Sequence, residues 1–277
     1  EEYREFYKHI SHDWNAPLKW INFKAEGTSN EFTSLLFLPE KPGFDLFMPN
    51  SKRGINLYVK RVFIMNDCED LIPDYLRFVK GVVDTEDLPL NVSREVTQSS
   101  PAMLKIKNVI VGKILSLFEE WADKDIEKYM KFYKNFGSLF KTGLNSDFSN
   151  KSRLMELLRF ESSAKPKGEY TSLNGYISRM NDKQNEIYYI SGNHIDIIEK
   201  NPNLEYFKKN EIEVLYLTDP IDIFTVPYLR EYDGKPLKSI DKSDINIDSK
   251  LEEKTDISED SQNKVIERFK SVLKDKV

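Results

Sequence analysis

The sequence predicts an α/β protein of two αβα-layered subdomains joined by a helical connector. Three observations predict it. Residues 187–240 alternate strand, helix, strand, helix, strand, the pattern of a small α/β layer with parallel pairing. Residues 103–140 carry two long amphipathic helical stripes, which suit a connector. The chain has 277 residues, 39% hydrophobic and 12% aromatic, which is apolar mass enough for two cores.

Taken in order, residues 1–10 have helix-forming composition, with Tyr3, Phe6, Tyr7 and Ile10 at three-and-four spacing. Pro17 closes that region. Phe32–Leu38 reads as a strand ended by Pro39, and 39–54, with its prolines and glycines, as a loop. Ile55–Ile64 (INLYVKRVFI) reads as one strong strand, β-branched and aromatic. Leu71–Val79 suits a short helix with Pro73 in its first turn, and Val83–Val92 a loop.

Pro101 opens a long helix whose core face holds residues 103, 106, 110, 114, 117, 118 and 121. A second helix follows, with Tyr129, Phe132, Tyr133, Phe136, Leu139 and Phe140 turned inward. Residues 143–150 are polar and turn-like. Helices are expected over 151–160, 173–180, 195–208 and 221–230, and strands over 187–190, 212–217 and 237–240. The expected division is therefore 1–120 for the larger subdomain, 121–150 for the connector and 151–240 for the smaller subdomain. An acidic linker, 241–263, leads to 264–277, the start of a truncated further domain.

Charge narrows the function. The net charge is −5, and residues 241–263, with eight acids and three lysines, account for all of it. The neutral remainder lacks the basic face that displaces counterions from nucleic acid, so no nucleic-acid partner is expected. No run of eighteen apolar residues occurs, so no membrane span is expected. The opening EEYREFYKHI is charged and aromatic, unlike a signal peptide or a fresh start, and the chain reads as a piece of a longer protein.

Local catalytic signatures are missing: no GxxxxGKS/T phosphate loop, no GxGxxG, no GxSxG elbow and no HExxH pair. Cys68 is the one cysteine, so neither an internal disulfide nor a zinc spacing arises. His9, His12 and His194 read as surface or structural residues, and no metal site is expected.

Two stretches carry a family resemblance. Tyr58–Ile64 reads YVKRVFI, and Gly81–Glu95 reads GVVDTEDLPLNVSRE. Both resemble, without gaps, the middle domain of the ninety-kilodalton heat-shock chaperones. EEYREFYK at the start, FDLF at Phe44–Phe47, LLRFESS at Leu157–Ser163, IYYISG at Ile187–Gly192, EVLYLTDPID at Glu213–Asp222 and YDGKPL at Tyr232–Leu237 resemble other blocks of that domain. The similarity covers about residues 1–240.

The resemblance implies a ribosomal-protein-like βαβ unit first and a smaller parallel α/β unit second. It implies the middle domain of an ATP-dependent molecular chaperone, acting in protein folding and the stress response. An upstream domain would bind ATP with Mg2+, and a downstream domain would form the homodimer. Client proteins and co-chaperones would be the other partners.

The resemblance also assigns roles. Arg94, in Ser93-Arg94-Glu95, matches the catalytic-loop arginine that reaches the γ-phosphate, and Gln98 matches a glutamine four residues on. The family places Leu before that glutamine, whereas Thr97 stands here. A guanidinium suits the task because it is planar, holds phosphate oxygens in a bidentate grip and never deprotonates. Taken alone, a loop arginine is ordinarily a solvated surface residue. Trp14 matches a tryptophan linked to client contact, and Phe63 a phenylalanine that meets the nucleotide domain. On residue type alone either is equally a packing residue.

The isolated chain is therefore expected not to hydrolyse ATP. The alternatives are an ATP-independent client-binding scaffold, or the transducer domain of a topoisomerase or mismatch-repair ATPase, which delivers a lysine where Arg94 stands. The blocks Asp123–Gly137 and LLRFESSAKPKGEYTSL are more similar to mitochondrial and bacterial-type members. An intracellular site is expected, with a mitochondrion or other organelle favoured over the cytoplasm.

Overall fold

The computed structural model describes residues 1–26, 31–44, 46, 48, 54–89, 100–182, 184–241 and 268. The chain divides into two units, 1–241 and 242–277. In the second, Arg268 alone is described, as an exposed helical residue, so the rest of the expected final helix, and the expected acidic linker beyond Asp241, lie outside the described residues.

Helix α1 (Glu2–Ser11) opens the chain and buries Tyr7. Strands β1 (Lys19–Ala25), β2 (Phe32–Leu38), β3 (Ile55–Val59), β4 (Val62–Met65) and β5 (Lys80–Thr85) form a sheet ordered β1-β2-β5-β3-β4. β3 and β5 run parallel and the other pairs antiparallel. β5 thus lies in the middle of the sheet. Its Gly81 is required there: a Cβ would sit 2.3 Å from the Leu35 carbonyl oxygen of β2.

Three local expectations are corrected here. INLYVKRVFI is not one strand but a hairpin, turning at Lys60 (φ 51°) and Arg61 (φ 64°). No Gly, Asn or Asp marks that turn, so a β-branched run concealed it. The loop expected from Val83 begins instead with the end of β5, because Val82 and Val83 pair with both neighbouring strands. Leu71–Val79 forms 3-10 turns at Glu69–Leu71 and Asp74–Leu76 rather than one helix. Ile72, before Pro73, is extended (φ −149°, ψ 140°), as the proline ring demands. β1 was not foreseen at all.

Helices α2 (Pro101–Lys124) and α3 (Ile126–Lys141) bear out the two amphipathic stripes. Asp125 separates them, and its carboxylate accepts the Lys128 N–H at 3.2 Å, capping α3. Their aromatic faces interlock where Phe118 stacks on Phe132 at 4.0 Å between centroids, and Phe78, just before β5, stacks on Phe136 of α3 at 4.5 Å. Full burial of one such ring contributes about 2–3 kcal/mol. The short helix α4 (Gly143–Ser146) occupies part of the region expected to be turn.

Helices α5 (Lys151–Leu157) and α6 (Leu173–Ile177) lead to the second sheet. Its strands are β6 (Glu161–Ser162), β7 (Ile187–Ser191), β8 (Val214–Leu217), β9 (Glu231–Tyr232) and β10 (Lys235–Ser239), ordered β6-β8-β7-β10-β9. β7 runs parallel to both β8 and β10, as the alternating pattern predicts. Helices α7 (Ile195–Ile198), α8 (Asn203–Lys209) and α9 (Asp222–Thr225) form the crossovers. One apolar cluster runs from β2 through α2 and α3 to Ile187 and Leu215 of the second sheet.

Candidate functional site

Trp14 stands beyond the end of α1, and the local sequence fixes it there. His12 ends the helix in the left-handed conformation (φ 53°). Asp13 then gathers the turn. Its carboxylate accepts the Tyr7 hydroxyl at 2.8 Å and the Asn15 backbone N–H at 2.9 Å. Burial acts to raise the Asp13 carboxyl, yet these hydrogen bonds hold it below the usual range. Burial pushes the Tyr7 phenol well above its ordinary value. With Asp13 tied back to Tyr7, Trp14 is left outward and is 87% exposed.

Trp14 lines a cleft of about 470 Å³ with Lys41, Phe44, Phe78, Lys80 and Phe136. Phe44 is fully exposed at its mouth. Exposed rings beside two lysines make an amphipathic surface, which suits an apolar segment carrying some negative charge.

Phe63 lies elsewhere, on the edge strand β4, and does not line that cleft. It is 48% exposed. Its inner half meets Tyr58 of β3, 5.6 Å between centroids and edge-on. It is therefore both a packing residue and a surface one. Val62 beside it is exposed as well.

Arg94 and Gln98 lie outside the described residues. The residues that flank them in sequence are described: strand β5 with Glu86–Pro89 before them, and α2 after them. The end of β5 is fixed closely. Thr85 is fully buried, and its hydroxyl donates to the Glu31 carbonyl at 3.1 Å. That hydroxyl also accepts the Asp87 N–H at 3.2 Å, and Asp87 Oδ2 accepts the Glu31 N–H at 2.6 Å.

A second apolar surface escaped the sequence reading. α9 turns its polar residues in and its apolar residues out: Asp222 and Thr225 are buried, while Ile223 and Phe224 are 68% and 64% exposed. With Lys151, Pro227, Tyr228 and Arg230 they line a cleft of about 520 Å³. Phe148, also exposed, lies 6.4 Å from the Tyr228 ring. The signal was the spacing of Asp222 and Thr225, three apart and so on one helical face, with a buried cation available to meet the acid. That cation is Lys141 of α3, 2.7 Å from Asp222.

Among the described residues no group of three His, Cys, Asp or Glu could hold a metal ion, and no helix is long and apolar enough to cross a membrane.

The profile of the Hsp90 protein family matches residues 1–277. The chaperone protein HtpG of Geobacter metallireducens is 52% identical over 245 residues, covering 88% of this chain and 38% of that protein. That of Chlorobium chlorochromatii is 47% identical over 281 residues, covering 100% of this chain and 44% of that protein. These relatives are bacterial. Among solved structures, the middle domain of a Plasmodium falciparum putative heat shock protein superposes with a TM-score of 0.76 at 32% identity. That likeness covers 87% of this chain and 95% of the other. The chain thus spans about two fifths of the length of the HtpG relatives it matches.

Proposed function

The chain belongs to the Hsp90 protein family, and on that premise we propose that it is the middle domain of an ATP-dependent molecular chaperone. In this reading it binds client proteins and supplies Arg94 to ATP held by an upstream nucleotide domain. The observation that supports the client role is outward-facing apolar side chains: Trp14 and Phe44 at one cleft, Ile223 and Phe224 at another. Such surfaces bury unfolded apolar segments, and their lysine and arginine rims hold the polar backbone nearby.

ATP supplies the γ-phosphoryl group when bound. This chain's part is the guanidinium of Arg94, with Gln98 four residues on in sequence. The described residues fit that part in one respect: the strand end leading to Arg94 is hydrogen-bonded from two sides, so a loop based there starts from a fixed point. Delivering the arginine from a separate domain makes hydrolysis wait for domain closure. Phe63, half exposed on an edge strand, is the proposed contact with the nucleotide domain.

The division into subdomains at 120, 150 and 240 belongs to the same proposal. So do Mg2+ with the nucleotide, the homodimer of the whole protein, its co-chaperones and an intracellular site of action. The bacterial relatives lend no support to the organellar expectation, and their chaperone names none to the transducer alternative.

Client binding is tested with Trp14→Ala and Phe224→Ala, singly and together, in this chain. Affinity for a fluorescently labelled unfolded polypeptide is the readout. Each single change should weaken binding by roughly tenfold, as loss of an aromatic anchor does, while thermal stability holds because both rings are exposed. Unchanged affinity in the double variant would remove these surfaces from the client role.

A further inference from the structure

Three strands carry a row of facing residues. Phe63 on β4 is opposite Tyr58 on β3, and Tyr58 is opposite Asp84 on β5. Directly paired residues project from the same face, so side chains along such a row are neighbours. The row runs from the sheet's edge to the strand that precedes Arg94 in sequence.

The hairpin turn makes a second link between the same two strands. Lys60 and Arg61 both sit in the left-handed region without being glycine, which costs about 1–2 kcal/mol at each. Their backbone N–H groups are both captured by the end of β5. Lys60 donates to the Thr85 carbonyl at 3.0 Å, and Arg61 donates to Asp84 Oδ1 at 3.0 Å. Strain of this kind persists only where its surroundings over-determine it. On the opposite side, Glu31 at the start of β2 holds Thr85 and Asp87. The strand end is clamped between the hairpin and β2, so a shift of the hairpin passes to it rather than being absorbed.

We propose that Asp84 is a positioning residue, tying the β3–β4 hairpin and its docking residue Phe63 to the base of the segment that carries Arg94. Contact at Phe63 then sets where that segment starts, and domain docking is coupled to arginine placement. This rests on the reading of Arg94 and Phe63 given above. The carboxylate suits the role because a charge-assisted hydrogen bond to a backbone N–H is stronger than a neutral one.

The test uses the full-length protein and compares Asp84→Ala, Asp84→Asn, Phe63→Ala and the Asp84→Ala/Phe63→Ala pair. Alanine removes the acceptor, whereas asparagine keeps an oxygen at the Oδ1 position. Asp84→Ala should lower kcat for ATP hydrolysis about tenfold, within the span of ordinary intersite couplings. KM for ATP should stay within about twofold, since positioning acts on the reacting state. Asp84→Asn should restore at least about half the wild-type rate. Adding Phe63→Ala to Asp84→Ala should cost little more, because both break one link. Asp84→Ser, too short to reach the Arg61 N–H, replaces the alanine variant if that variant does not fold.

A wild-type kcat in Asp84→Ala overturns the proposal. So does an asparagine variant as impaired as the alanine one, or losses that multiply in the pair. Arg94→Ala, measured alongside, separates the two levels. If it abolishes turnover while Asp84→Ala keeps the wild-type kcat, the coupling alone falls; if it leaves turnover intact, the reading beneath falls and the coupling with it.

Discussion

Lys141 Nζ lies 2.7 Å from Asp222 Oδ1, and the pair is buried between the end of α3 and the start of α9. Asp219 approaches the same ammonium at 3.6 Å, and the Phe160 ring lies 5.4 Å from it. Burial pushes the Asp222 carboxyl upward, and Lys141 offsets only part of that. The pair seats α9 with its acid inward, and this is why Ile223 and Phe224 face out.

Removing one partner should therefore be costly. Lys141→Met strands a buried carboxylate and should destabilise the chain by roughly 3–5 kcal/mol in urea unfolding at neutral pH. Lys141→Met/Asp222→Leu should recover most of that loss. A group whose folded pKa is raised is protonated more readily in the native state, so its stabilising share is present at low pH and lost as pH rises. The single variant should thus lose less at about pH 5 than at neutral pH. A double variant as unstable as the single one would show that the charge pair is not what seats α9.

Tyr133 presents the reverse case. Its hydroxyl is buried in the α3 core without a hydrogen bond of good geometry, although the Arg159 backbone N–H is nearby. Tyr133→Phe keeps the ring and removes the stranded group, and should stabilise the fold by about 1 kcal/mol. Burial also pushes this phenol above the tyrosine range, so the native state resists ionising where the unfolded chain ionises freely. Stability should be full below about pH 10 and fall above it, and fall less steeply in Tyr133→Phe. Equal alkaline slopes would count against this account.

The left-handed turn at Lys60 and Arg61 gives a third expectation. Lys60→Asn/Arg61→Gly puts residues that accept positive φ where two strained ones stand. Both N–H donors remain. Unfolding free energy should rise by about 1–2 kcal/mol. No gain would mean that the turn is relaxed as it is.

These residues also show what was legible. The stripes of α2 and α3 and the parallel pairing of β7, β8 and β10 were readable because local period and tertiary burial agree there. The hairpin was not, because its turn is imposed by acceptors on Asp84 and Thr85, more than twenty residues away in sequence. The outward face of α9 was hidden for a similar reason: its orientation depends on Lys141, eighty-one residues earlier. Trp14 and Phe63 entered through family resemblance. Their exposure then followed from Asp13 anchoring one turn and from β4 standing at the sheet edge.

The central claim is that this chain supplies half of a split ATPase site. The most direct measurement is ATP hydrolysis by the chain joined to its natural nucleotide-binding and dimerisation domains, with Arg94 intact and as Arg94→Ala. The account predicts that kcat falls by roughly a hundredfold or more, as loss of a charge-stabilising arginine does in phosphoryl transfer, while nucleotide affinity stays within about twofold. An unchanged kcat would contradict it and leave a client-binding scaffold.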